Sequence, residues 1–188
     1  MKKILMIFML AAMMAVTSFA GDKAAFGFSL PGTDGETHSL SDFKDAEAVV
    51  IMFIATKCPI SNAFNERMVE IANMYQPKGV VFLGINSNKA EKMDEVKEHA
   101  KKHNFPFVVL KDDQNMVADK YKAKVTPEVY VLNTQHEVLY HGRIDDSADA
   151  DERKSTDLVQ ALDEILADEQ VTTAKTKAFG CTIKRVSM

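Results

Sequence analysis

A single α/β domain built around a mixed central sheet is the fold class this sequence predicts, and three observations carry it. Short apolar runs rich in β-branched residues alternate with segments of helical periodicity. One run, Glu47 to Ala55, is almost continuously apolar, as a strand covered on both faces must be. No internal repeat and no low-complexity linker divides the chain.

Taken in order, Leu30-Pro31-Gly32-Thr33-Asp34-Gly35 is turn-rich, and Thr37 to Leu40 returns as a short strand. The 47–55 run follows as the first buried strand. Ile60, Phe64, Met68, Ile71 and Tyr75 then fall on one helical face, and Pro77-Lys78-Gly79 stops that helix. Val80 to Ile85 is a second buried strand. Lys89 to His103 is a charged helix with Met93, Val96 and Ala100 inward, its charges reading as a solvated face. Phe105 to Leu110 is a third strand and Asn115 to Tyr121 a short helix. Glu128 to Leu132 and Val138 to His141 form a hairpin around residues 133–136. Ser155 to Leu166 is the last helix, with Leu158, Leu162 and Ile165 inward.

The amino terminus has the pattern of a secretory signal. Lys2-Lys3 precede an uncharged apolar run from Ile4 to Val16, and Ser18-Phe19-Ala20 offers small residues at the two positions a signal peptidase reads. The run is shorter than the roughly 20 residues a spanning helix needs. The expected organisation is a signal peptide over 1–20, one domain over 21–170 and a tail over 171–188. The expected location is the periplasm or the exterior, with no membrane span in the mature chain. The formal charge of −4 becomes more negative once both lysines leave, which argues against nucleic acid as a partner.

The chain has two cysteines, Cys58 and Cys181. An oxidising compartment drives such thiols to pair or to react. No cysteine or histidine spacing resembles a zinc site, so neither a metal nor another cofactor is expected. Cys58 falls between the 47–55 strand and the 60–75 helix, where unpaired amide hydrogens and a partial positive charge stabilise a thiolate. Lys57 adds a cation, and Pro59 suits the first helical turn. The alternatives are half of a stabilising disulfide or an inert buried thiol.

The segment Val50-Ile51-Met52-Phe53-Ile54-Ala55-Thr56-Lys57-Cys58-Pro59-Ile60-Ser61 resembles the active strand and helix start of thioredoxin-like proteins, in particular the exported redoxins that adjoin the peroxiredoxins (AhpC/TSA). Phe28 to Pro31 through Gly35, with Ser39 to Phe43, is similar to the redoxin amino-terminal strand pair. Val125-Thr126-Pro127-Glu128 resembles the loop whose proline is cis in that superfamily. Residues 140–146 and the terminal Gly180-Cys181-Thr182-Ile183-Lys184 resemble a peroxiredoxin-like subgroup. The resemblance implies a thioredoxin-like fold with Cys58 as nucleophile. It also implies that Thr126 and Pro127 lie beside Cys58, where the Thr126 main chain would pair with a partner.

The departures from that pattern bear on function. Ser61 replaces the second cysteine of a Cys-x-x-Cys motif; its hydroxyl is expected to donate to the Cys58 thiolate. Asn62 stands where copper-delivering relatives have their second cysteine. Ala55 and Ile51 replace the threonine and proline of typical peroxiredoxins, and Thr56 lies one place out of register. Pro127 stands near the position of the peroxiredoxin arginine. These changes argue against efficient peroxide reduction.

Cys181 is the internal candidate to resolve an oxidised Cys58. Residues 169–180, extended, span about 40 Å, so reach permits either a resolving thiol or a permanent staple. The expected activity is thiol–disulfide exchange on protein thiols or disulfides, with an exported thiol reductant as electron donor. The rivals are a thiol peroxidase acting on hydroperoxides and a binding module that has lost catalysis. Asp145, Asp146, Asp149, Asp151 and Glu152 read as a solvated loop, since their spacing misses a calcium-binding loop. Arg143 is expected to pair with Asp145 or Asp146, or to approach the active site. The five histidines are scattered and read as surface or core residues.

Overall fold

The computed structural model describes residues 22–24 and 27–186; the expected signal segment lies outside them. The elements are β1 (Asp22–Ala24), β2 (Ser29–Pro31), β3 (Thr37–Ser39), β4 (Ala48–Phe53), α1 (Pro59–Ala63), α2 (Asn65–Tyr75), β5 (Val80–Asn86) and α3 (Met93–Lys102). They continue as β6 (Val108–Lys111), α4 (Met116–Tyr121), β7 (Val125–Thr126), β8 (Glu128–Leu132), β9 (Glu137–Gly142), α5 (Asp157–Leu166) and β10 (Cys181–Thr182).

The central sheet has the order β1-β9-β8-β4-β5-β6. Strands β4, β5 and β6 are parallel, whereas β8 runs antiparallel to β4 and β9 antiparallel to β8. Every residue of β4 is buried, because alternate side chains enter different cores. Ala48, Val50 and Met52 pack with Phe64, Met68, Tyr75, Val96 and Leu162, under α2, α3 and α5. Val49, Ile51 and Phe53 pack with Leu30, Leu40, Val117, Tyr121 and Ile183, under α4, the β2–β3 pair and the tail. The uninterrupted apolar pattern of residues 47–55 has its cause in these two covers.

The helix expected over 60–75 is two helices. The Phe64 amide bonds back to the Ser61 carbonyl at 3.1 Å, and the Arg67 guanidinium takes the Ala63 carbonyl at 3.1 Å. The same guanidinium lies 3.9 Å from the centre of the Phe64 ring. The apolar face nevertheless continues across the break, from Phe64 through Met68 to Tyr75.

Arg143 pairs with neither Asp145 nor Asp146. It bonds Asp157 at 2.9 Å, at the start of α5. Asp145 is instead buried against Arg67 at 2.6 Å. Arg67 also donates to the carbonyls of Ser147 and Ala148, each at 2.7 Å. The loop read as solvated is therefore anchored at Asp145 by a cation from α2. Sequence distance hid that pairing, since the partners are 78 residues apart.

Replacing Arg67 with Met should destabilise the protein by about 3–5 kcal/mol, because buried Asp145 would lose its 2.6 Å partner and keep only the more exposed Arg153 guanidinium, 3.9 Å away. Urea unfolding of the variant beside the parent measures this.

Candidate active site

The site forms where β4 leaves the sheet. The Ile54 amide still bonds the Ile85 carbonyl at 2.9 Å. After it the chain turns, and each amide finds a side-chain acceptor. Ala55 donates to the Ser61 hydroxyl at 3.1 Å. Thr56 and Lys57 donate to the two carboxylate oxygens of Glu91, at 2.8 and 3.1 Å. Asn62 bonds the Thr56 carbonyl at 3.0 Å. A loop whose amides are occupied in this way holds one conformation.

Cys58 follows as the residue capping α1, in an extended conformation, with Pro59 at the first helical position. Its Sγ accepts from the Ser61 main-chain amide at 3.2 Å. Helix α1 has only five residues, so the stabilising donor is this local amide rather than the summed dipole of a long helix. The Ser61 hydroxyl, expected to serve the sulfur, instead accepts from Ala55, and Ser61 contributes to Cys58 through its backbone. The Lys57 ammonium is held by Glu95 at 2.7 Å and the Ala90 carbonyl at 3.1 Å, on the exposed side of the loop. The Thr56 hydroxyl is buried and makes no hydrogen bond.

Opposite Cys58 lies the second loop that the resemblance singled out. The Thr126–Pro127 bond is cis, and the Thr126 carbonyl oxygen is 3.4 Å from Cys58 Sγ. Strand β10 pairs antiparallel with β7, placing Cys181 against Thr126 and Thr182 against Val125. Cys58 and Cys181 form a disulfide, with their Cα atoms 5.8 Å apart. Cys58 is only 3% exposed. The expected residues Cys58, Ser61, Thr126, Pro127 and Cys181 thus share one site, whereas Lys57 turns toward Glu95.

Two carboxylates that sequence reading passed over position these loops. Glu91 falls inside the 89–103 stretch read as a solvated helix, but the helix begins only at Met93, and Glu91 is buried and also accepts from the Asn86 side chain at 2.6 Å. Glu128 accepts from the Lys124 and Val125 amides at 2.7 and 3.1 Å, immediately ahead of the cis bond. His141 bonds Glu128 at 2.7 Å and stacks on Tyr130 with ring centres 4.1 Å apart. Burial pushes the Glu128 pKa upward, but the His141 bond and the two amides outweigh it and hold the carboxyl below its ordinary value. No spacing signal marks Glu91, because the amides it accepts come from a loop on the other side of β5 in the chain; Glu128 is fixed by the local turn that aims the Lys124 and Val125 amides at it.

Comparison with known proteins extends this geometry. The AhpC/TSA family model matches residues 20–141. The chain belongs to the AhpC/TSA family. A Coxiella burnetii protein named as a peroxiredoxin, bcp, is 29% identical over 105 residues, which are 56% of this chain and 67% of that protein. An uncharacterized conserved protein of Geobacillus kaustophilus has a structure with TM-score 0.84 at 34% identity, covering 92% of this chain and 95% of its own. A hypothetical protein of Sinorhizobium meliloti also reaches TM-score 0.84 at 30% identity, covering 91% of this chain and 97% of its own. Those two similarities extend well past the family match at residue 141. Peroxidoxin BcpB of Mycobacterium tuberculosis shares the fold, with TM-score 0.58 at 21% identity over 78% of this chain and 93% of its own. The fold is thioredoxin-like.

The lowered Glu128 pKa sets the sign of a pH dependence. As pH falls, the unfolded chain takes up this proton before the folded protein does. The stabilisation is therefore complete above the ordinary glutamate value near 4.3 and is lost as pH drops through the depressed folded value. Glu128→Gln should cost about 1.5–3 kcal/mol at neutral pH, the worth of hydrogen bonds to a charged group. The difference from the parent should vanish in strong acid, as read from denaturant unfolding across pH.

Proposed function

We propose that this AhpC/TSA family protein is a thiol–disulfide oxidoreductase that works after export, with Cys58 as nucleophile and Cys181 as resolving thiol. The observation that carries this reading is the Cys58–Cys181 bond, formed where Cys58 Sγ accepts the Ser61 amide and the cis-Pro127 loop faces it. The reduced Cys58 thiolate attacks one sulfur of a substrate disulfide and forms a mixed disulfide. Cys181 then attacks Cys58 Sγ, the substrate leaves with two thiols, and the protein is left as its own disulfide. An exported thiol reductant restores it with two electrons. Export is supported by the amino-terminal signal pattern and by the disulfide, which oxidising compartments preserve.

A second reading, a thiol peroxidase, is favoured by the peroxiredoxin name of the Coxiella burnetii relative and by the unbonded Thr56 hydroxyl near the active loop. Cys58 would be oxidised to a sulfenic acid, and Cys181 would condense with it, releasing water. The main-chain environment of Cys58 serves both chemistries. The Ala55 and Ile51 substitutions favour the first.

Equilibration in glutathione buffers should give the Cys58–Cys181 couple a midpoint less negative than about −300 mV. A lower midpoint identifies a permanent bridge, which by chain entropy stabilises a loop of this size by about 4–5 kcal/mol. In the Cys181→Ser variant, alkylation against pH should place the Cys58 pKa below the free-cysteine value of about 8.5. Stopped-flow mixing of the reduced protein with hydrogen peroxide separates the two readings: a fast reaction saturating at one equivalent selects the peroxidase.

A further inference from the structure

The segment from 174 to 186 is held against the domain by an isolated bridge at Lys175, by the two-residue strand β10 and by further main-chain bonds beyond it. The His141 amide bonds the Ala174 carbonyl at 2.9 Å and the Thr176 amide returns to the His141 carbonyl at 3.0 Å. Phe179 meets the edge of Phe64. Gly180 has φ +149, and a side chain there would run into the Thr126 carbonyl. Beyond the β7–β10 pair, the Ile183 amide bonds the Lys124 carbonyl at 2.9 Å, and the Ile183 side chain is buried in the second core.

The remaining contacts read mainly the backbone. The Lys184 amide donates to the Asn88 side chain at 2.8 Å, and the Lys184 carbonyl accepts from the Lys89 amide at 3.0 Å. The Val186 amide donates to the Asn115 side chain at 2.7 Å. Arg185 adds the Ala123 carbonyl and Asp119. The groove therefore reads an extended main chain and asks for three residue types: glycine, cysteine, and an aliphatic residue two places later. None of these contacts needs covalent continuity with the domain.

We propose that this groove is a binding site for an extended cysteine-bearing segment of the pattern Gly-Cys-x-aliphatic, with residues 179–186 as its built-in occupant. An outside segment reaches Cys58 only when the tail has been both unbonded and lifted. The proposal rests on the reading of Cys58 as a redox thiol. Unbonding takes a dithiol reductant. One of its thiolates attacks the Cys181 sulfur, and the bond to Cys58 breaks, with Cys58 leaving as a thiolate under the Ser61 amide. The second reductant thiolate then displaces Cys181, which takes up a proton, and the reductant ends as its own disulfide. The backbone ladder still holds the tail, so reduction by itself leaves Cys58 covered.

The test uses the full chain with Cys181→Ser, in which Cys58 is the sole thiol, and compares it with the same chain carrying Ile183→Asp in addition. Iodoacetamide should alkylate Cys58 about tenfold faster or more in the doubly substituted chain, since the rate follows the open population. Asn88→Ala in the Cys181→Ser chain, a change outside the tail, should act in the same direction by a smaller factor, and it carries the comparison if Ile183→Asp impairs folding. A synthetic peptide of residues 178–186, its cysteine activated as a thiopyridyl disulfide, should be captured by the lifted variant. Capture should be about tenfold faster than for peptides with Gly180→Val or Ile183→Asp. Equal alkylation rates in all three proteins would overturn the tail as a cover, and equal capture of all peptides would overturn the pattern. Failure of the redox reading shows separately, as a Cys58 in the lifted variant that reacts with the small disulfide dithiodipyridine no faster than free cysteine.

Discussion

The burial of β4 on both faces is the constraint on which the rest depends. Its side chains alternate between two cores, and each large one contributes about 1.5–3 kcal/mol by leaving water. It lies between β5 and β8, so it is bonded along both edges. A shift of one residue would exchange the two faces and misplace every side chain. The point at which the chain leaves the sheet is therefore fixed, and with it the short loop that delivers Cys58. The same holds for β5, whose last residue, Asn86, bonds Glu91, and for β8, which begins with Glu128 directly after the cis bond.

Beyond the strand ends, polar side chains take over the work of the sheet. Glu91 closes the Thr56 and Lys57 amides, Asn86 bonds Glu91, and Lys111 bonds both Asn86 and the Asn88 carbonyl. Asp112 accepts from Ser87 and from the Ala118 amide, and the Asn115 side chain bonds the Ser87 carbonyl. A buried network of this kind is rigid only when its members are satisfied. Here it joins two surfaces of one site, because Asn88 and Asn115 also receive the tail. The Cys58 loop and the tail consequently share a support, although the two cysteines are 123 positions apart in the chain.

Much of the fold was legible because it follows from local pattern. The apolar run of 47–55, the amphipathic spacing through Tyr75 and the Asn133-to-His136 turn each state a geometry within a few residues. The break at Phe64 was not legible, since it depends on an arginine that serves both Ala63 and a distant aspartate. The place of Cys58 between a strand and a helix was legible. The roles of Ser61 and Lys57 were not, because a hydroxyl or an ammonium bonds whichever partner the loop presents. The loop presents Ala55 to Ser61, and Glu95 with Ala90 to Lys57. Arg143 likewise pairs with Asp157 rather than its nearer acidic neighbours.

By itself, the sequence determined the alternation of strands and helices, the two-sided burial of the 47–55 strand, and the place of Cys58 between a strand and a helix. These follow from periodicity, which acts over short stretches of chain, whereas the approach of Pro127 to Cys58 was implied only by the resemblance to thioredoxin-like proteins. Tertiary structure decided that the terminal segment lies as a strand against Thr126, that Cys181 bonds Cys58, and that Glu91 holds the loop ahead of Cys58. Such contacts join residues far apart in the chain. Their energies depend on distances and burial that arise only once the two cores have closed.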